Sequence, residues 1–138
     1  MTWVLFDYGG VICQPQLEAE VALLAQAAGG TVQAFSDGYW AYRLDYDRAK
    51  LDAVTYWQKV GAGLGRSYSA AEIAELTRLD VTSWRHLKPG TVTLIEDLAA
   101  AGHRLALLSN PELRDLPMAK RICPGHSAAE GRSFWLQV

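Results

Sequence analysis

The sequence predicts an α/β fold in which two parallel strands are joined through helices. Two continuous apolar runs carry this prediction. The first, over residues 2–6, ends at Asp7, and the second, "HRLALL", ends before Ser109-Asn110. Such runs are typical of strands that are buried on both faces in a parallel sheet. The stretch between the two runs is rich in helix formers, and strands connected through helices pair in parallel.

The helices follow the first strand in order. Residues 17–28 are rich in Ala, Leu, Glu and Gln, and Gly29-Gly30 closes this helix at its C-terminus. Residues 32–46 carry aromatic side chains three or four positions apart, which places them on one helical face. Asp52 caps a third helix that the glycines of 61–65 end.

Two further helices complete the pattern. Ser69 and Glu72 form a capping box at the start of the fourth, and "LKPG" then breaks the chain. Thr91 is predicted to cap the fifth helix, which ends at Gly102. The block between the strands is too long for a single crossover. We therefore expect residues 15–86 to form a helical insertion over the end of the first strand, with 1–14 and 87–138 as the α/β core.

The overall composition argues against several classes of function. A net charge of -2 gives no reason to expect nucleic acid or an anionic membrane as a partner. No apolar run approaches the roughly 20 residues that span a bilayer, and no basic segment precedes the first apolar stretch. Cys13 and Cys123 do not suggest disulfides or zinc, and His86, His103 and His126 show no ligand spacing. These features predict a cytoplasmic protein.

Polar residues follow both predicted strands where ligands bind in open α/β sheets, beyond the carboxyl ends of the strands. Asp7 ends the first strand, and Ser109 and Asn110 follow the second. Gly9 and Gly10 leave backbone N–H groups accessible to an anion. This edge of the sheet therefore suits a phosphate or carboxylate substrate. The alternative for Asp7 is a turn acid, and the alternative for Ser109-Asn110 is a helix cap before Pro111.

The two polar strand ends also carry a family resemblance. "VLFDYGGVI" together with "LKPGTVTLIEDLAAAGHRLALLSN" resembles the nucleophile and Ser/Thr motifs of the haloacid dehalogenase-like (HAD) hydrolase superfamily. Between them, "YWAYRLDYDRAKLDAVTYWQKVGAGLG" is similar to the small helical cap of its phosphatase-like subfamily. The resemblance extends over about residues 3–110. It implies a partial Rossmannoid parallel sheet with an inserted α-helical cap.

The resemblance also implies roles for single residues. Asp7 matches the nucleophile that attacks the phosphorus of a small phosphate ester to form an aspartyl-phosphate, and it is ionised at pH 7 without a base. Asp7 and the carbonyl of Gly9 would hold Mg²⁺. Ser109 and the N–H groups near Gly9, Gly10 and Asn110 would bind the transferring phosphoryl oxygens.

The sequence departs from the family at two places. Gly9 stands where phosphatases of this family commonly have a second Asp, an acid–base worth roughly 10²–10⁴-fold in rate. After Asn110 the family continues to a Lys and to an acidic pair that completes the metal site. Residues 111–138 contain no strand that ends in paired acids, Lys120 lies too near the second motif, and Asp115 and Glu130 have no motif around them.

Residues 111–138 are therefore typical of a truncated or frame-shifted C-terminus. A core without its later strands leaves one side of the first strand unpaired and apolar surface uncovered. This predicts either a homo-oligomer formed through that surface, which "FWLQV" would help to cover, or a low stability. Besides the phosphatase, two alternatives stay open. One is a 2-haloacid dehalogenase in which Asp7 attacks carbon without a metal, and the other is a catalytically impaired binding or assembly module.

Other residues have simpler interpretations beside functional ones. The aromatic residues of the insertion are expected to form its core rather than a substrate pocket: Phe35, Tyr39, Trp40, Tyr42, Tyr46 and Trp57. Arg43 and Arg48 are expected to be solvated helix charges rather than ligands of an anionic substrate. Cys13 is expected to be a small buried hydrophobe rather than a nucleophile.

Overall fold

The computed structural model of the chain describes residues 3–109. Within this range, two strands and five helices follow one another in the predicted order. Their bounds are β1 Trp3–Asp7, α1 Glu18–Ala28, α2 Val32–Asp47, α3 Ala53–Ala62, α4 Ala70–Ser83, α5 Pro89–Ala100 and β2 Arg104–Leu108. The described part of the chain is therefore mostly helical, with mixed α/β content.

The two strands form a parallel pair, as predicted. Their register aligns Trp3 with Arg104 at one end and Asp7 with Leu108 at the other. Helix α5 comes directly before β2 and packs against it, so the strands are connected through helices. Among residues 3–109 the sheet contains these two strands.

The two strands differ in burial, and one expectation is wrong. Leu105, Ala106 and Leu107 are buried, as a continuous apolar run predicts. In β1, however, only Phe6 is buried, whereas Trp3 and Leu5 are 44% and 46% exposed. The burial alternates because successive side chains point to opposite faces, and Trp3 and Leu5 share the more exposed face.

Helix α5 begins earlier than the sequence suggested. Pro89 occupies the first helical position, which suits its fixed φ, and Lys88 is at the N-cap position. Thr91 therefore lies inside the helix, and the prediction that it caps α5 is wrong. Its hydroxyl instead donates a hydrogen bond to the carbonyl of Val11.

Capping residues and glycines set the ends of the other helices. The Asp52 carboxylate accepts from the Thr55 N–H at 2.7 Å, and Gly29 closes α1 in the left-handed conformation. The Ser69 N–H donates to the Glu72 carboxylate, and the Glu72 N–H donates to the Ser69 hydroxyl. The capping box is therefore formed, and these predicted ends are confirmed.

Helices α1–α4 enclose an aromatic core. The Tyr46 and Tyr56 rings stack with their centroids 4.2 Å apart. Of the six aromatic residues predicted to form this core, four are buried, and Tyr42 is partly buried against them. Trp40 is the exception, because it lies on the other side of α2 with 56% of its surface exposed.

The chain divides into two compact units. One comprises Met1–Pro15 with Trp84–Val138, and the other is Gln16–Ser83. The first contains the strand pair and α5, and the second contains α1–α4. Among the helices between residues 3 and 109, none has the length and apolar character needed to cross a bilayer.

Candidate functional site

Asp7 is the last residue of β1, and Ser109 follows the last residue of β2. The register pairs Asp7 with Leu108, so Ser109 comes one residue after the partner of Asp7. Paired strands lie roughly 4.8 Å apart. The two predicted polar residues are therefore at the same end of the sheet. Asn110, Lys120 and the other residues after 109 that were considered for function lie outside the described residues.

The Asp7 carboxylate is open to a ligand. The residue is exposed, and no hydrogen bond or ion pair joins its carboxylate to another residue between 3 and 109. Ser109, in contrast, is buried and has a polar partner. The negative charge at the strand end is thus available, whereas Ser109 is buried.

A turn over Tyr8–Ile12 follows Asp7 and leaves space above its glycines. Gly10 has a φ of +74°, which favours glycine over any residue with a side chain. A Cβ atom placed on Gly9 or Gly10 would meet nothing within 4 Å. A ligand can therefore approach the backbone directly beside the Asp7 carboxylate.

The chain segment around the start of α5 holds this turn through the turn's carbonyl groups. The Lys88 ammonium donates to the Gly10 carbonyl at 2.6 Å, and the Thr91 hydroxyl donates to the Val11 carbonyl at 2.9 Å. The Lys88 N–H donates to the Ile12 carbonyl at 2.8 Å. Three successive carbonyls of the turn therefore have partners on two residues at the start of α5.

Further hydrogen bonds tie the two flanks of the turn to the same segment. The Tyr8 hydroxyl donates to the Trp84 carbonyl at 3.0 Å, on the strand side of the turn. On the other side, the Gln14 side-chain amide donates to the Leu87 carbonyl at 3.0 Å. Cys13 also faces Leu87 in an antiparallel bridge. Both flanks of the turn are thus held by residues that precede α5.

Cys13 directly follows the turn, and the pKa of its thiol depends on the charges nearby. The side chain is fully buried, as predicted, and burial raises the pKa of its thiol. The Gly10 N–H hydrogen bond and the Lys88 ammonium act in the opposite direction, whereas the Asp7 carboxylate adds to the increase in pKa. Burial likewise raises the pKa of Tyr8 to about 12. A positive and a negative charge therefore act at this turn together.

The donors at the turn are hard oxygen atoms. Asp7 contributes an exposed carboxylate, and Gly9 contributes a backbone carbonyl in an exposed turn. Carboxylate and carbonyl oxygens are the ligands that Mg²⁺ accepts, with water in its remaining positions. Within residues 3–109, no group of three or more His, Cys, Asp or Glu side chains is arranged to hold a metal ion.

The helical unit contains a separate buried polar cluster. The Arg43 guanidinium donates to one Asp80 oxygen at 2.8 Å, and the Tyr39 hydroxyl donates to the other at 2.6 Å. Arg43 and Asp80 are 5% and 1% exposed. The expectation that Arg43 is a solvated helix charge is wrong, because α4 provides it with a buried counter-ion. Arg48 is exposed, as expected.

The ionisation states of this cluster follow from its burial and charges. Burial lowers the pKa of Arg43, but the charges around it, the Asp80 carboxylate foremost, outweigh this effect and raise the pKa above its ordinary value. Burial raises the pKa of Tyr39 far above its ordinary value. Arg43 is therefore a permanent buried cation of the helical unit.

Two residues that hold the turn were not predicted to do so from the sequence. Lys88 and Thr91 were considered only as parts of a chain break and of a helix cap. Lys88 and the Gly10 carbonyl are 78 positions apart in the chain. The one local signal is that the lysine comes directly before the proline that begins α5, which places it at a helix N-terminus.

Comparison of the chain with protein families, with curated proteins and with solved structures found no match in any of the three.

Proposed function

We propose that the protein is a HAD-like hydrolase that removes the phosphoryl group from a small phosphate ester, with Asp7 as the nucleophile. The observation that carries the proposal is the position of Asp7. Its exposed carboxylate ends one strand of a parallel pair, next to a glycine turn with open space and one strand away from Ser109. The same proposal assigns the strand pair and α5 to a Rossmannoid core and Gln16–Ser83 to a cap.

The reaction divides into two displacements at phosphorus. One Asp7 oxygen attacks the phosphorus, the bond to the ester oxygen breaks, and the alcohol leaves as its anion, which takes a proton from water. Water then attacks the phosphorus of the aspartyl-phosphate, which releases inorganic phosphate and restores the Asp7 carboxylate. The exposed glycines let the substrate reach the carboxylate without steric conflict.

Mg²⁺ suits the donors at this turn. The Asp7 carboxylate and the Gly9 carbonyl would hold it, and when bound it would offset the repulsion between an anionic substrate and the nucleophile. Because two protein oxygens are a small ligand set, removal of Mg²⁺ by a chelator is expected to be rapid and reversible.

Because Gly9 has no side-chain acid, the rate of hydrolysis should depend strongly on the leaving group. A side-chain acid at this position would protonate the departing oxygen, which is worth roughly 10²–10⁴-fold. Glycine has no such group, so esters of acidic phenols should react much faster than esters of simple alcohols. The same feature supports a second candidate, a module that binds a phosphorylated molecule without turning it over.

The test compares three proteins on p-nitrophenyl phosphate with Mg²⁺. The parent chain should release nitrophenolate, and Asp7→Asn should lose this activity because an amide is a poor nucleophile. Asp97→Asn is the matched control, since Asp97 is an exposed acid on α5 and its substitution changes the net charge by the same amount. Activity that Asp7→Asn leaves unchanged would overturn the proposal.

Heavy-oxygen water separates the related reactions. In the phosphatase, water attacks phosphorus, so the label appears in inorganic phosphate and not in the protein. In a 2-haloacid dehalogenase, water attacks the carbonyl of the Asp7 ester, so mass spectrometry finds the label in Asp7. A chain that binds phosphate, with no label in either place and no activity, is the binding module.

A further inference from the structure

Lys88 brings a positive charge to the glycine turn. Its ammonium lies 2.6 Å from the Gly10 carbonyl oxygen, and the side chain is only partly buried. An ammonium has three N–H donors, and this contact uses one of them. No carboxylate among residues 3–109 lies within ion-pair distance of Lys88. The described part of the protein therefore leaves this charge uncompensated.

The charge is fixed at a place that a ligand can reach. Gly10 has open space where a side chain would be, and Asp7 directly precedes the same turn. The Lys88 ammonium lowers the pKa of the Cys13 thiol and the Asp7 carboxylate raises it, so both charges act on the same buried group beside the turn. A carbonyl oxygen is a neutral partner, so it holds the ammonium in place without cancelling its charge.

We propose that Lys88 is a substrate-binding residue that holds the phosphoryl oxygens of the ester at the glycine turn. The inference rests on the proposed function for the identity of the substrate, a phosphate monoester. The ammonium is held by the Gly10 carbonyl and offers its other two donors to the anion. It thereby offsets the repulsion that the dianion meets from the neighbouring Asp7 carboxylate.

Thr91 provides the matched control. Its hydroxyl holds the next carbonyl of the same turn, that of Val11, at 2.9 Å, and it carries no charge. Thr91→Val therefore removes one hydrogen bond to the turn and leaves the charges around it unchanged. Lys88→Gln removes the charge and keeps the hydrogen bond, because its amide can still donate to the Gly10 carbonyl.

The experiment measures the binding of inorganic phosphate to the full chain by calorimetry at two concentrations of potassium chloride. Lys88→Gln should weaken binding at least tenfold and flatten its dependence on salt, because screening acts on the lost charge. Lys88→Arg should bind within a few-fold of the parent chain. Thr91→Val should keep the parent's salt dependence. Equal affinity and equal salt dependence in the parent and Lys88→Gln would overturn the proposal.

A measurement on the unaltered protein covers the case in which Lys88→Gln fails to fold. Acetic anhydride acetylates lysines, and peptide mass spectrometry reads the extent at each one. Phosphate should slow acetylation of Lys88 and leave Lys50, whose side chain is 64% exposed in the helical unit, unaffected. Equal acetylation of Lys88 with and without phosphate would count against the proposal.

The two proposals can fail separately. If Asp7→Asn leaves hydrolysis unchanged while phosphate still protects Lys88, the anion site stands and the nucleophile assignment falls. If hydrolysis depends on Asp7 but Lys88→Gln binds phosphate as the parent does, the hydrolase stands and the role of Lys88 falls.

Discussion

Removal of the Asp80 carboxylate would leave a buried cation without its main counter-ion. Asp80 accepts from the Arg43 guanidinium at 2.8 Å and from the Tyr39 hydroxyl at 2.6 Å, and the two ionised residues are 1% and 5% exposed. Asp80→Ala deletes both acceptors in one step. Arg43 has a very high pKa and cannot become neutral, so its charge stays inside the helical unit.

The magnitude follows from the burial and from the carboxylate that still accepts from Arg43. Removal of one member of a buried ion pair typically costs about 3–5 kcal/mol. Asp47 still accepts from the Arg43 Nε atom at 2.7 Å, but its side chain is 28% exposed, so solvent weakens its compensation. We therefore expect Asp80→Ala to lower the free energy of unfolding by about 3 kcal/mol, near the lower end of that range.

Urea unfolding followed by far-ultraviolet circular dichroism measures this loss, because α1–α4 carry most of the described helix. With a denaturant slope of about 1–3 kcal/mol per molar, the midpoint should fall by about 1–3 M. Asp45→Ala is the control, since its carboxylate is 52% exposed and lies 3.7 Å from the Lys50 ammonium. It should barely move the midpoint.

A second variant tests the reason for the loss. Arg43→Met together with Asp80→Ala removes the cation along with its counter-ion, so the double variant should be more stable than Asp80→Ala alone. A loss below about 1 kcal/mol for Asp80→Ala would refute the reasoning, because it would mean that water solvates the remaining charge.

Three further predictions follow from the packing, the caps and the exposed strand. Gly61→Ala should destabilise the helical unit because the new Cβ would lie 2.6 Å from the Tyr68 ring. Gly63→Ala is the control, because its new Cβ would lie 3.5 Å from the nearest atom and should fit. Thermal unfolding compares the two variants. The Ser69 N–H lowers the pKa of Glu72, so the stability from this carboxylate is present above its ordinary pKa of 4.5 and is lost as the pH falls through the lowered value. Urea midpoints across that range should therefore fall less for Glu72→Gln than for the parent. Leu5→Lys should reduce self-association in light scattering, since Leu5 is 46% exposed on β1. A parent chain that is monomeric and melts at a high temperature would contradict the predicted oligomer or low stability.

Much of the fold was predictable because its signals are local. A capping box needs two residues three positions apart, and a left-handed glycine ends a helix within one turn. The starts of α3 and α4 and the end of α1 were therefore predicted from a few letters of sequence. The start of α5 was not, because Pro89 and Thr91 are both acceptable near a helix N-terminus and the proline came first.

Burial was less predictable than secondary structure. An apolar run indicates a strand but does not state how many neighbours that strand has, so the exposure of Trp3 and Leu5 could not be derived from their hydrophobicity. In the same way, the sequence around Arg43 on α2 predicts a charge exposed to solvent. Its burial depends on Asp80, which another helix contributes.

The sequence by itself determined the order of the elements, the parallel strand pair and the position of Asp7 at the end of β1. Each of these depends on hydrophobic runs, caps and glycines that act over a few residues. Only the tertiary structure decided what surrounds Asp7. The Lys88 ammonium reaches the Gly10 carbonyl across 78 positions of chain, and a hydrogen bond of that span leaves no periodic pattern in either segment.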